Sequence, residues 1–297
     1  MKKRIFPVLA AILAFLIVIS AQSTWSSNGI EQLYIFGDSL SDVGNIFQLT
    51  EQQRPPSPPY YSGRYSNGRL WVEYLADELQ LTPNHVTNLA WGGATTQGTI
   101  GNTVSLKKQI EKFLANHPNI NSQALCIIWI GANDYLYGAT NVKATVGNIV
   151  EGVFSLVNTG MKKFLIVNLP DLGKLPATRD TKAATSLSAL TKAHNKYLSQ
   201  SIQQLKQDLG PRVEIAEFDV YSVYQQVTRR PNQFGLTNVN DSCLKNSSVC
   251  QHPEGFLFWD GVHPSTAAHQ ILAKKAFSKV EEAYFSSHGQ DPYVRYQ

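Results

Sequence analysis

The chain is poor in charge, in sulfur and in clustered metal-binding side chains, and each shortage narrows what it can be. Charged residues make up only 16% of the 297 residues, against 43% hydrophobic. That balance supports a packed core and excludes a disordered chain. The formal charge of +4 includes three from Lys2, Lys3 and Arg4, so the remainder carries +1. So small a charge excludes nucleic-acid binding by bulk electrostatics, and no nucleic-acid partner is expected. No Gly-x-Gly-x-x-Gly or Walker pattern occurs, and no His, Cys and carboxylate cluster has metal-ligand spacing. No metal and no cofactor are therefore expected. The chain also lacks internal repeats and low-complexity tracts.

Long apolar runs are absent too, with one exception. Residues 5–19 carry no charge, follow Met1-Lys2-Lys3-Arg4 and precede Ser20-Ala21-Gln22-Ser23. This is the basic, apolar, small-residue order of a secretory leader, expected over residues 1–23. The run is shorter than the ~20 residues of a spanning helix. Cleavage leaves a secreted or periplasmic protein with no stable membrane span, whereas retention makes the run an N-terminal anchor.

Only three cysteines are present. Cys243 and Cys250 lie in a polar stretch, and an exported chain permits a disulfide between them. Cys126 sits in the apolar run 124–130 and reads as a small buried hydrophobe.

What is present is a repeated β-α pattern. Apolar runs at 33–36, 86–90, 125–130, 164–169 and 213–215 read as strands. Helical stripes separate them, among them Val142, Val146, Ile149, Val150 and Val153, and a last helix is expected over 265–282. The runs 127–130 and 164–167 are apolar on both faces, as buried parallel strands are. The expected fold is an α/β sandwich of three layers, helix on sheet on helix, over residues 30–285. In such sheets chemistry sits at the carboxyl ends of the strands. Two long segments interrupt the repeat: the proline-rich and aromatic stretch 54–68, and an irregular insertion at 228–258.

Four motifs fall where a site should be. Gly37-Asp38-Ser39 follows the first strand, and a serine there can act as a nucleophile if a base takes its proton. The Gly-x-Ser-x-Gly elbow is not present, because position 41 is Ser. Asp260-Gly261-Val262-His263 places an acid and a base three residues apart, just before a helix. Gly92-Gly93 after the second strand can bring a backbone N–H close to a reacting oxygen, and the Asn133 amide can donate to an oxyanion. Asp42 and Asn45 are expected to organise the helix start after the serine. Tyr60, Tyr61, Tyr65 and Trp91 are candidates for lining an acyl or alcohol pocket. His85, His117, His252, His269 and His288 read as surface or helix-face residues, and His194 as a core-edge histidine.

Phe36-Gly-Asp-Ser-Leu40, Gly93, Gly131-Ala-Asn133-Asp and Asp260-Gly-Val-His263 together resemble the four signature blocks of the GDSL, or SGNH, hydrolases. The stretches 36–45, 88–96 and 258–264 resemble the branch holding plant GDSL lipases and bacterial thermolabile-hemolysin-type and acyltransferase-type proteins. The resemblance implies a flavodoxin-like five-stranded parallel sheet and ester hydrolysis through an acyl-enzyme. It implies Ser39 as nucleophile, His263 as base and Asp260 as its orienter. The oxyanion donors it implies are Ser39 N–H, Gly93 N–H and the Asn133 side chain, with a small ester or lipid as substrate. A phospholipase, a lipid acyltransferase, or a non-catalytic lipid- or glycan-binding protein on the same fold are the alternatives. Oligomeric state is not legible.

Overall fold

The computed structural model describes residues 29–98, 103–117 and 120–285. The expected leader at 1–23 and His288 lie outside them. Five parallel strands form the central sheet: β1 (Gln32–Gly37), β2 (Val86–Asn88), β3 (Ala124–Trp129), β4 (Lys163–Val167) and β5 (Glu214–Phe218). Their spatial order is β2-β1-β3-β4-β5, and every pairing is parallel. This is the flavodoxin-like α/β/α order, with its topological switch between β1 and β3.

Period-two alternation sends side chains to two separate cores. Leu33, Ile35, Leu125, Ile127, Leu165 and Val167 face one side. There they meet α2 (Trp71–Glu78), α7 (Val220–Arg229) and α8 (Thr266–Tyr284). Tyr34, Phe36, Cys126, Ile128, Phe164 and Ile166 face the other. Their partners are α3 (Leu106–Asn116), α5 (Val142–Val157) and α6 (Ala184–Leu209). The remaining short helices are α1 (Asn45–Leu49) and α4 (Ala132–Leu136). Side chains cap four of the long helices: Ser105 on α3, Asn141 on α5, Asp219 on α7 and Ser265 on α8. Each accepts from a backbone N–H that the first turn leaves unpaired.

Two expectations are corrected. The last strand runs to Phe218, well past residue 215, because Glu217 interrupts the apolar run without leaving the ladder. The 228–258 insertion is not wholly irregular. It carries β6 (Asn238–Ser242), a small hairpin of β7 (Leu244–Lys245) and β8 (Ser248–Val249), and β9 (Phe256–Phe258), which pairs parallel with β6. The Cys243–Cys250 disulfide closes the hairpin, and Cys126 is fully buried. Burial pushes the Cys126 thiol well up, away from nucleophilic use. Among the described residues no helix is long and apolar enough to cross a membrane.

Candidate active site

The carboxyl ends of β1, β2 and β3 converge, and the loops leaving them are tied to each other by buried polar side chains. β1 ends at Gly37, where an added Cβ would lie 2.5 Å from the Trp129 carbonyl oxygen of β3. Only glycine lets the two backbones approach so closely. Gln109 of α3 then holds Gly37 at both ends: its side-chain carbonyl accepts from Gly37 N–H at 3.0 Å, and its amide donates to Gly37 O at 2.8 Å. Past Gly37 the chain turns. The Asp38 carbonyl accepts from Ser41 N–H and Asp42 N–H, and the Asp38 carboxyl accepts from Leu40 N–H. Ser39 sits at the crest of this turn, mostly buried. Burial raises the Asp38 carboxyl to about 7, against the Leu40 N–H and the His263 charge, which lower it.

Asp42 and Asn45 do more than start α1. Asp42 accepts from Gly44, Asn45 and Ile46 N–H, and also from Gly92 N–H at 2.8 Å. Asn45 donates to the Asn88 and Ala90 carbonyls. These bonds bind the loop after β2 to the serine turn. Gly93 in that loop holds φ +76°, a left-handed conformation that glycine adopts without strain. The loop after β3 is tied in as well: Asn133 Nδ2 donates to Ala94 O at 2.9 Å, and Asp134 accepts from both Thr96 N–H and Thr96 Oγ. One amide hydrogen of Asn133 is left for another acceptor.

His263 and Asp260 come from the turn between β9 and α8, more than two hundred residues from Ser39. His263 Nε2 lies 2.8 Å from Ser39 Oγ. His263 Nδ1 lies 2.7 Å from Asp260 Oδ2. Asp260 Oδ1 accepts from Val262 N–H at 2.9 Å and from His263 N–H at 2.7 Å, so the carboxylate shapes the turn that carries its own partner. Burial opposes the Asp260 charge, yet the His263 imidazole and the Tyr60 hydroxyl hold the carboxyl well below the usual range. An ionised Asp260 can only accept, so Nδ1 carries the ring hydrogen and Nε2 is free to take the serine proton.

The aromatic candidates separate. Tyr60 directs its hydroxyl to Asp260 Oδ2 at 2.6 Å. Tyr65 lies against the His263 ring, centroids 5.1 Å apart. Tyr61 is 47% exposed, beneath the Arg64 guanidinium, and Trp91 is half-buried. Two histidines are more deeply buried than the sequence suggested. His269, expected on a surface or helix face, is fully buried, because it lies on the side of α8 that carries Leu272 and Ala276 into the core. His194, expected at the core edge, is fully buried too, with Nδ1 2.8 Å from the Tyr135 hydroxyl. Gln109 was missed altogether. A glutamine amid the apolar positions Leu106, Ile110 and Phe113 was its one sequence signal. A groove of about 1040 Å³ follows the edge strand β5, but none of the predicted site residues lines it.

Comparison with known proteins agrees with this architecture. Residues 33–276 match the family described as GDSL-like Lipase/Acylhydrolase. The phosphatidylcholine-sterol acyltransferase of Aeromonas hydrophila is 28% identical, over 91% of this chain and 96% of that protein. The thermolabile hemolysin of Vibrio parahaemolyticus is 28% identical over 83% of this chain, and the match spans 63% of that protein. The crystal structure of a lipolytic G-D-S-L family protein from Veillonella parvula superposes with a TM-score of 0.51 at 16% identity. It covers 84% of this chain and 97% of that one, a likeness of fold.

Proposed function

This chain belongs to the GDSL-like lipase/acylhydrolase family, and from that premise we propose that it is an exported serine hydrolase cleaving carboxylic esters through an acyl-serine intermediate. The observation that carries the reading is the continuous chain from Ser39 Oγ to His263 Nε2 and from His263 Nδ1 to Asp260. His263 takes the Ser39 proton as Oγ attacks the ester carbonyl. Asp260 keeps the ring in the correct tautomer and stabilises the imidazolium that forms. The oxyanion rests on Ser39 N–H, Gly93 N–H and the remaining Asn133 amide hydrogen. His263 returns the proton to the departing alcohol. It then deprotonates water, which attacks the acyl-serine, and gives that proton to Ser39 Oγ as the acyl–oxygen bond breaks and the acid is freed. Residues 30–285 form the hydrolase domain. The basic, apolar and small-residue order of residues 1–23 supports export, as does the Cys243–Cys250 disulfide, since such a bond persists in oxidising compartments.

The test is hydrolysis of p-nitrophenyl esters from acetate to palmitate. Turnover of at least one chain length is expected, and the profile tells a small-ester esterase from a lipase. No turnover of any ester, with folded protein, removes the reading in favour of lipid or glycan binding. Asn133→Ala is expected to lower kcat by about 10²–10³-fold with little change in KM, the cost of losing one oxyanion donor. An unchanged kcat in that variant means Asn133 serves only the Ala94 contact.

The similarity to an acyltransferase over 91% of this chain favours a second reading, in which an alcohol replaces water in deacylation. Incubation with phosphatidylcholine vesicles containing cholesterol separates the two. Steryl ester supports transfer, and free fatty acid alone supports hydrolysis.

A further inference from the structure

We propose that Tyr60 is a positioning residue of the triad: its hydroxyl, delivered by the proline-rich loop, fixes the Asp260 carboxylate against His263 and tempers the negative charge offered to the imidazole. The inference rests on reading Ser39, His263 and Asp260 as the hydrolytic triad.

A carboxylate has about four lone-pair positions. In Asp260 they are all used. Oδ1 takes the Val262 and His263 backbone N–H groups, Oδ2 takes Tyr60 O–H, and His263 Nδ1–H lies 2.7 Å from Oδ2 and 3.0 Å from Oδ1. Among the described residues Tyr60 is the only donor to this carboxylate from outside its own turn. It arrives from 200 positions away at 2.6 Å, the length of a charge-assisted O–H···O⁻ bond. Burial, and then the Asp260 charge, push the Tyr60 hydroxyl above the ordinary phenol range, so it remains a donor throughout the working pH range.

The ring is held in place as well. Tyr60 meets Trp259 and Tyr65 edge-on, each with centroids 6.3 Å apart. The loop itself is stitched to the triad turn: Ser66 Oγ donates to Pro264 O at 2.9 Å, and Asn67 Oδ1 accepts from Thr266 N–H at 2.8 Å. Loop and turn are thus joined by hydrogen bonds, and the phenol's single donor hydrogen is committed to Asp260. The other titratable groups facing His263 are Asp38 after β1, Tyr65 from the loop and His269 from α8. Tyr65 is in turn faced by Asp42, Arg54 and Tyr137. Replacing Tyr60 by Phe leaves every one of them.

The experiment compares wild type, Tyr60→Phe and Tyr60→Ala by kinetics across about pH 5–9, and by proton NMR of the His263 Nδ1–H without substrate. For Tyr60→Phe, kcat is expected to fall about tenfold with KM within about twofold, as for a lost hydrogen bond to a charged group. The acid limb of kcat/KM moves to higher pH by about half a unit, because the freed carboxylate charge holds the imidazolium more strongly. The downfield Nδ1–H resonance shifts with it. Tyr60→Ala loses more, since the ring packing goes too. A Tyr60→Phe enzyme with wild-type kcat, acid limb and resonance overturns the inference. So does a variant changed only in KM, which marks a substrate contact. Failure of the triad reading looks different: no downfield proton in wild type, or activity surviving Ser39→Ala. The resonance is read without substrate, so the two failures stay distinguishable even with a wild type inactive on the chosen ester.

Discussion

On the proposed mechanism, replacing Ser39 by Ala is expected to lower ester hydrolysis by about 10⁴-fold or more while the fold survives. The Ser39 hydroxyl has one hydrogen-bond partner among the described side chains, His263 Nε2. The turn around it is built from backbone bonds to Asp38, which the substitution leaves in place. His263→Ala should cost about as much. The double variant should cost little more than either single one, because nucleophile and base act as a unit. Asp260→Asn is expected to lose about 10⁴-fold, since a neutral amide no longer fixes the tautomer. Steady-state rates on the best p-nitrophenyl ester, with circular dichroism as the fold control, decide the matter. Additive losses in the double variant would falsify the shared role. Full activity in Ser39→Ala would move the nucleophile elsewhere.

A large effect is also expected on stability, and it is specific to acid. His269 is fully buried and neither ring nitrogen has a partner among the described residues. Burial, with the His263 charge second, lowers it to about 3, and burial lowers His194 to about 4. Below pH ~6.5 the unfolded chain binds protons that these folded rings refuse. The stability each neutral ring contributes is therefore complete above ~6.5 and drains away as pH falls toward 3 or 4. Asp38 acts in the opposite sense. Its carboxyl, raised to about 7 by burial, contributes most at low pH and loses that contribution as pH rises through 7. A comparison with His269→Leu cancels the Asp38 effect. The stability of the variant relative to wild type should improve by about 2 kcal/mol between pH 7 and pH 5. Urea unfolding at the two pH values measures it. A difference independent of pH would mean that the folded protein does protonate His269.

The β-α repeat was legible because it is local. Two-sided apolar runs such as 127–130 announce covered parallel strands, and the stripe through Val142, Val146, Ile149 and Val153 announces a helix laid on them. The structure has that three-layer fold, with β3 at the centre of the sheet and β4 beside it. The motif blocks were legible as well, since each is a short stretch at a strand end or helix start. The end of β5 was not, because Glu217 breaks the apolar run while the ladder to β4 continues. Nor were the strands of the 228–258 insertion, which exist only because β6 finds β9 about twenty residues on.

The amino-acid sequence by itself determined the layer architecture, the family and the residue types available for chemistry, since periodicity and short motifs need no knowledge of distant neighbours. The tertiary structure decided everything that depends on who meets whom. It buried His269 and His194, because which face of a helix is sealed is settled only when the helix packs. It clamped Gly37 with Gln109 from 72 positions away and put the Tyr60 hydroxyl on Asp260 across 200. Contacts at such separations leave no periodic trace in the chain. They form because the strand ends and the proline-rich loop converge on one edge of the sheet, where a carboxylate taken out of water must find its donors.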